Sequence, residues 1–244
     1  ACKIPQSPAY EPQANVEATW YENTPAEVGE FSAVAYFFAK RLNEILGVPV
    51  GVIDVSWGGS RIEAWMSPEL LKAEYAGKFD LSHFETKDKG ERGTRHTPAL
   101  LYNGMIHPLI GYTIKGFLWY QGCSNAYNPR LYVDLKPSFV KMLREKWGNE
   151  NLPFYFTQIA QYKTNIPEMM WAQALTVDLI PHCSMAATHD VGEYNCIHPA
   201  KKKEVGDRLA NLALSNDYGF NNVDVNTPIA SRFEFKENEA IVYF

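Results

Sequence analysis

The sequence lacks any apolar run approaching the roughly 20 residues that a membrane-spanning helix needs, so no such span is expected. It also lacks an excess of positive charge. Twenty-three Lys plus Arg stand against 28 Asp plus Glu, a formal net charge of -5, and no segment carries a basic stripe, which argues against nucleic acid as a partner. Cysteines are few: Cys2, Cys123, Cys183 and Cys196 lie far apart, without the C-x-x-C spacing of a zinc or redox site. Free thiols and one or two bridges are both compatible with that spacing. Metal binding by Cys196 and His198 with Cys183 or His189 matches no common zinc pattern, so no metal site is expected. Glycine and proline, 16 and 15, are at ordinary levels, which excludes disorder and fibrous repeats. What is present is 244 residues, 46 % hydrophobic and 14 % aromatic, enough to bury a core as one domain. The chain opens Ala1-Cys2-Lys3, and any targeting segment is expected to lie outside these residues.

Residues 1–30 are rich in Pro, Gln, Asn and Glu, show no period and predict an irregular lead-in with regular structure starting after Gly29. From Phe31 to Leu46 apolar residues recur at Val34, Phe37, Phe38, Leu42 and Ile45, the stripe of an amphipathic helix, with Gly47 placed to end it. Val48 to Val55 is a β-branched run suited to a strand buried on both faces. The same alternation recurs: a short helix from Ser67-Pro68, a strand over Ile114 to Tyr120, a helix over Leu131 to Trp147, a strand over Pro153 to Ala160. A helix over Met169 to Leu179, a strand over Ser184 to Thr188 and a helix over Pro199 to Leu214 complete it. Residues 77–98 read as charged and irregular, and Phe233 to Phe244 as a β-hairpin around Lys236 to Glu239. Strand followed by helix at successive places predicts an α/β fold, a mostly parallel sheet with helices on both faces. The division is 1–30 lead-in, 31–220 α/β domain, 221–244 hairpin leading into further β-structure.

Sites in such sheets lie outside the carboxyl ends of the strands. Three loops placed there are polar and glycine-bearing: Trp57-Gly58-Gly59-Ser60-Arg61, Tyr120 to Asn125, and His189 to His198. A Gly-Gly pair after a buried strand lets a backbone N–H approach an oxyanion, or is simply a tight strand exit. Gln121 and Asn125 carry amide donors that suit the same task or satisfy loop carbonyls. His198, just before Pro199, stands where a general base belongs, though a lone histidine also serves as a structural hydrogen-bonder.

In order along the chain, Phe31 to Phe38, Ser56-Trp57-Gly58-Gly59-Ser60-Arg61-Ile62-Glu63-Ala64-Trp65, Leu101 to Pro108, Leu118 to Ala126, and Ile197-His198-Pro199 with Val205 to Ala210 resemble the sialate O-acetylesterase family of SGNH-type serine hydrolases. The resemblance covers roughly residues 31–244. It implies a three-layer α/β/α hydrolase domain that removes acetyl groups from sialic acids or related sugars without metal or organic cofactor. It implies His198 as the base acting on a serine, and Gly59 with Gln121 and Asn125 as oxyanion elements.

The match has gaps. The family's Gly-Gln-Ser-Asn-Met nucleophile block, on a strand preceding the Phe31 segment, is absent from residues 1–30. The expectation is that the first strand and its serine belong to an upstream segment of the same precursor; a relative that has lost catalysis is the other. Ser124 resembles a substitute nucleophile but stands in the oxyanion block. Cys123 and Cys196 replace acids of relatives, which leaves Asp190 and Glu193 as candidates to orient His198. Those two cysteines are expected to be neighbours, as a disulfide in an oxidising compartment, secreted or periplasmic, or as separate thiols. The alternative to an esterase is a silent carbohydrate-binding relative in which Trp57, Trp65, Trp119 and Tyr120 line a cleft; a nucleotide-binding domain lacks a phosphate-loop lysine or a G-x-G-x-x-G run.

Overall fold

Helix ends follow the capping chemistry written in the sequence. Ser32 Oγ accepts from Ala35 N to start α1 (Ala33–Leu46), and Gly47 closes that helix in the left-handed conformation, φ 68°. Ser67 Oγ accepts from Leu70 N and Pro68 takes the first helical position of α2 (Pro68–Glu74). A short α3 (His83–Thr86) follows. Asn128 caps α4 (Pro129–Trp147) by accepting from Leu131 N; α5 (Pro167–Leu179) and α6 (Lys202–Tyr218) complete the helices. The structure, a computed structural model, describes residues 1–86, 95–163, 167–225 and 230–243. Residues 87–94 of the charged stretch and Phe244 of the hairpin therefore lie outside the described residues. No helix among the described residues is long and apolar enough to cross a membrane.

The strands are β1 (Cys2–Lys3), β2 (Ile53–Asp54), β3 (Phe117–Trp119), β4 (Phe154–Thr157), β5 (Cys183–Ala186) and an antiparallel hairpin of β6 (Arg232–Lys236) and β7 (Glu239–Tyr243). β3, β4 and β5 form a parallel sheet in that order, with Phe117 opposite Phe154 and Phe154 opposite Cys183. β1 pairs in parallel with β2, Cys2 opposite Ile53. Among the described residues β2 does not pair with β3, so each keeps one open edge.

Side chains of the three-stranded sheet alternate between two cores, as the two-residue period of a strand requires. Phe117, Trp119, Phe154, Phe156 and Met185 face α4 and α5, where Phe139, Leu143 and Met169 are buried. Leu118, Tyr155 and Ala186 face the other way, onto Leu42 of α1 and Val205, Leu209 and Ala213 of α6. The result is three layers, α1 with α6 on one face and α4 with α5 on the other. The mixed α/β fold with a mostly parallel sheet and a terminal hairpin is the one expected from the sequence.

Several boundaries differ. The lead-in is not wholly irregular: Cys2 N donates to Val52 O and Ile4 N to Asp54 O, making a strand too short to show a period. The run 48–55 forms a ladder only at Ile53 and Asp54, because Val48 and Gly51 are exposed and a partner lies on one side only. The last long helix begins at Lys202, three residues after Pro199, since Glu193 Oε1 accepts from Ala200 N and holds that segment as a turn. A π-helix over Tyr102–Ile106 was not expected; Asn103 Nδ2 donates from it to Ala9 O and Tyr10 O, clamping the lead-in.

Candidate active site

The loops leaving β2, β3, β4 and β5 meet at one edge of the sheet. Ser60 N donates to Trp57 O and Gly59 adopts φ +75°, a left-handed turn that suits glycine. Ser124 Oγ and His96 Nε2 both reach Gly59 O, each at 2.8 Å. Gly59 N–H has no acceptor among the described residues. Gln121 Nε2 donates to Ser60 O at 3.0 Å and to Asn125 Oδ1 at 2.7 Å, which joins the β3 exit to the β2 exit. Gln173 extends the stitching, donating to Gln121 O and accepting from Ile159 N after β4. Lys163 N donates to Tyr194 O, tying the β4 exit to the histidine loop, and Lys202 Nζ lies 5.4 Å from the Tyr120 ring.

The amide orientations follow by elimination. Ile62 N–H is a donor, so the Asn125 atom it faces at 3.0 Å must be oxygen, and Nδ2 must turn to the remaining partner, Glu63 Oε2 at 2.8 Å. Asn125 Oδ1 can then accept only N–H from Gln121, whose two amide hydrogens are taken by Asn125 and Ser60. Gln121 Oε1 is left buried with no hydrogen-bond partner. Both Gln121 N–H groups are thus committed to Asn125 and Ser60, which leaves its side chain no free donor for an oxyanion in this arrangement. Asn125 is 3 % exposed and has one N–H committed to Glu63. Of the three oxyanion candidates, Gly59 presents a backbone donor without a partner among the described residues, and Asn125 keeps one N–H beyond the bond to Glu63.

Glu63 is a buried acid beside these amides that the sequence reading did not single out. It is 2 % exposed, and burial pushes its carboxyl above the usual carboxylate range, against the pull of Asn125, Arg61 and Tyr127. A lone acid inside Ile62-Glu63-Ala64-Trp65, all four buried, was the available signal.

His198 is exposed, and its ring has no hydrogen-bond partner among the described residues. Neither carboxylate of its loop reaches it. Arg208 Nη1 and Nη2 grip Asp190 at 2.7 and 2.5 Å, holding its carboxyl down at about 2, while Glu193 accepts from Ala200 N. All four cysteines are free thiols, so Cys123 and Cys196 are not bridged; Cys196 Sγ instead donates to His198 O at 3.1 Å within its own loop. Ser124 Oγ points its proton at the Gly59 carbonyl instead of an imidazole, and Ser60 Oγ, 5 % exposed, accepts from Trp65 Nε1. Two of the aromatic cleft candidates are core: Trp65 is 3 % exposed and stacks edge-on against Trp119, which packs on Phe139. Among the described residues no group of three His, Cys, Asp or Glu could hold a metal ion.

Asp190→Asn gives a first test of the loop. The pair is 34 % and 64 % exposed, so its loss is expected to lower stability by less than about 1 kcal/mol. A carboxyl held below its unfolded value contributes stability that is present above that value, near 3.8, and lost as pH falls through about 2. Thermal melts of wild type and Asp190→Asn should therefore differ by a constant amount between pH 5 and 7. A difference that grows across that window would show that another group carries the loop.

A parallel sheet with helices on both faces, its strand exits stitched around a left-handed glycine turn and a histidine loop, is an α/β domain of the kind that places hydrolytic chemistry at the carboxyl edge of its strands. Residues 8–215 match the family described as carbohydrate esterase, sialic acid-specific acetylesterase, and the chain belongs to that family. The sialate O-acetylesterase of Mus musculus is 29 % identical over 280 residues, covering 93 % of this chain and 51 % of that protein; the Homo sapiens sialate O-acetylesterase is also 29 % identical, covering 93 % and 48 %. The chain thus spans about half the length of these relatives. Among solved structures, a carbohydrate acetylesterase from Xanthomonas citri superposes with a TM-score of 0.85 at 33 % identity, over 99 % of this chain and 54 % of that one. An Arabidopsis thaliana protein, 20 % identical with a TM-score of 0.50 over 73 % of this chain and 66 % of that one, shares the fold alone.

Proposed function

We propose that this chain is the base-bearing and oxyanion-bearing part of a carbohydrate O-acetylesterase that releases acetate from acetylated sugars of the sialate type. A serine hydroxyl attacks the acetyl carbonyl while His198 takes its proton; Gly59 N–H steadies the tetrahedral oxyanion. Collapse expels the sugar alkoxide, which His198 protonates, and water then cleaves the acetyl-serine by the same route to give acetate.

One observation carries the reading. The β2 and β3 exits are hydrogen bonded to each other through Gln121 and Ser60, and Asn125 and Ile62, yet β2 and β3 do not pair and each keeps an open edge. An additional parallel strand between them would end at the Gly59 turn, so a serine at its carboxyl end would meet the free N–H. We assign the nucleophile to such a strand, from an upstream segment of the same precursor, since among the described residues neither Ser60 nor Ser124 is hydrogen bonded to a histidine. A silent sugar-binding relative is the second reading, favoured by the absence, among the described residues, of any carboxylate bonded to His198.

Fluorophosphonate labelling followed by peptide mass spectrometry separates these. The natural full-length protein is expected to label on a serine outside these 244 residues, and to lose the label with His198→Ala. A label on Ser124 or Ser60 would overturn the placement of the nucleophile; no label, with sugar binding retained, would establish the silent relative.

A further inference from the structure

Resting on the esterase reading, we infer that Glu63 is a positioning residue, whose buried carboxylate holds the β3 exit against the Gly58-Gly59-Ser60 turn and so sets where the Gly59 N–H stands during acyl transfer. Glu63 touches nothing that reacts. Its Oε2 accepts from Asn125 Nδ2 at 2.8 Å, and its Oε1 accepts from Tyr127 OH at 3.5 Å and lies 3.9 Å from Arg61 Nη1. Asn125 and Tyr127 belong to the segment after β3; Arg61 and Ile62 belong to the segment after β2, and Arg61 also stacks over the Tyr127 ring at 4.4 Å. One carboxylate thus joins both segments.

The relay has a fixed direction. Ile62 N–H holds one end by requiring Asn125 Oδ1, and Ser60 O holds the other by requiring Gln121 Nε2. Between them Asn125 Nδ2, in a side chain only 3 % exposed, needs an acceptor that water cannot supply, and Glu63 provides it. Without that acceptor the Asn125 amide is driven to rotate, which would set donor against donor at Ile62 and free Gln121 from Ser60. Ser60 follows Gly59 directly, so the loss is transmitted to the oxyanion turn.

The charge is not there for stability. Burial raises the Glu63 carboxyl, and a group raised in the folded state contributes stability present below its unfolded value and lost as pH rises through the folded one. Burial thus works against the ionised form of Glu63, so its charge comes at a cost to folding; the charged and titratable groups acting on it are Arg61 and Tyr127, with Asn125 neutral. Retention of such a group at a strand exit fits a positioning role, where stability is given up for geometry.

Glu63→Gln tests this, because its single amide oxygen cannot serve Asn125 Nδ2 on one side and Tyr127 OH with Arg61 Nη1 on the other, so one of the two linked segments meets an N–H in place of an acceptor. Its melting temperature at pH 7 is expected within about 2 °C of wild type or higher, while kcat for acetate release from O-acetylated sialic acid falls about 10- to 100-fold with KM changed less than threefold. Glu63→Asp, which keeps the charge one methylene back, should recover part of kcat. A parallel loss of melting temperature and kcat, or failure of Glu63→Gln to fold, would overturn the inference in favour of a purely structural hub; so would an unchanged kcat. The Gly59 and Ser60 backbone amide resonances provide a readout independent of turnover. They are expected to shift in Glu63→Gln, and unmoved resonances would overturn the placement of Glu63. If the full-length wild type, upstream segment included, releases no acetate the esterase reading fails, and those resonances still decide whether Glu63 sets the turn.

Discussion

Replacing His198 by alanine is expected to lower kcat for acetate release at least about 10³-fold, in the form of the protein that carries its nucleophile, and to leave the fold untouched. The two halves of that expectation come from the same observation. The ring is exposed and has no hydrogen-bond partner among the described residues, so its removal should change stability by no more than about 0.5 kcal/mol. The loop does not depend on it either: Glu193 holds Ala200 N, Cys196 holds the His198 carbonyl from its thiol, and Arg208 holds Asp190. None of these uses the imidazole. A base must take and return a proton in each half of the reaction, so its absence should appear in kcat for both acylation and deacylation, with KM changed little. Steady-state rates beside a thermal melt are sufficient. A fall below tenfold would remove His198 from the mechanism, and a matched fall in melting temperature would reassign it to the loop's structure.

How far the site could be read in advance depended on which groups were local. Ser67-Pro68 and Gly47 were legible because a cap is a contact between neighbours in sequence. The strand runs were legible as strands, but neither their burial nor their ladders were: Val48 to Val55 reads as one strand buried on both faces, whereas none of it is fully buried and only pairing with Cys2–Lys3 picks out Ile53 and Asp54. Gly59 could be singled out from Gly-Gly after a strand, and its positive φ agrees with that reading. Gln121 and Asn125 were visible as amides, while the direction of each was set by Ile62 and Ser60, some 60 residues away, which commits both Gln121 N–H groups to the loops. Asp190 and Glu193 were rightly noticed as acids in the histidine loop. Their partners, Arg208 on α6 and the Ala200 amide, decide what they do, and both draw the carboxylates to the scaffold of the loop.

Gly206 in the first half of α6 is the position where sequence and structure give opposite signs, which makes Gly206→Ala a sharp test of the fold. Helix propensity alone favours alanine over glycine in a helix interior by about 1 kcal/mol. The structure opposes it. A Cβ at Gly206 would lie 2.7 Å from Val34 O, 2.7 Å from Phe37 Cβ and 2.9 Å from Phe38 N, all on α1. Two of those three atoms are backbone, so no rotamer change relieves the contact and the helices must part. Overpacking of this kind costs about 1–3 kcal/mol, and with backbone as the obstacle the upper end applies, enough to outweigh the propensity gain. A net loss near 2 kcal/mol should lower the melting temperature by about 4–8 °C for a domain of this size. The consequence reaches the site, because α6 carries Arg208, whose grip on Asp190 and Ala187 O anchors the loop bearing His198. Displacing α6 should therefore lower kcat as well, by about tenfold, in contrast to Asp190→Asn, which leaves the α1–α6 contact intact. A melting temperature equal to or above wild type would mean that α1 and α6 do not cross at Gly206, and that propensity governs the position after all.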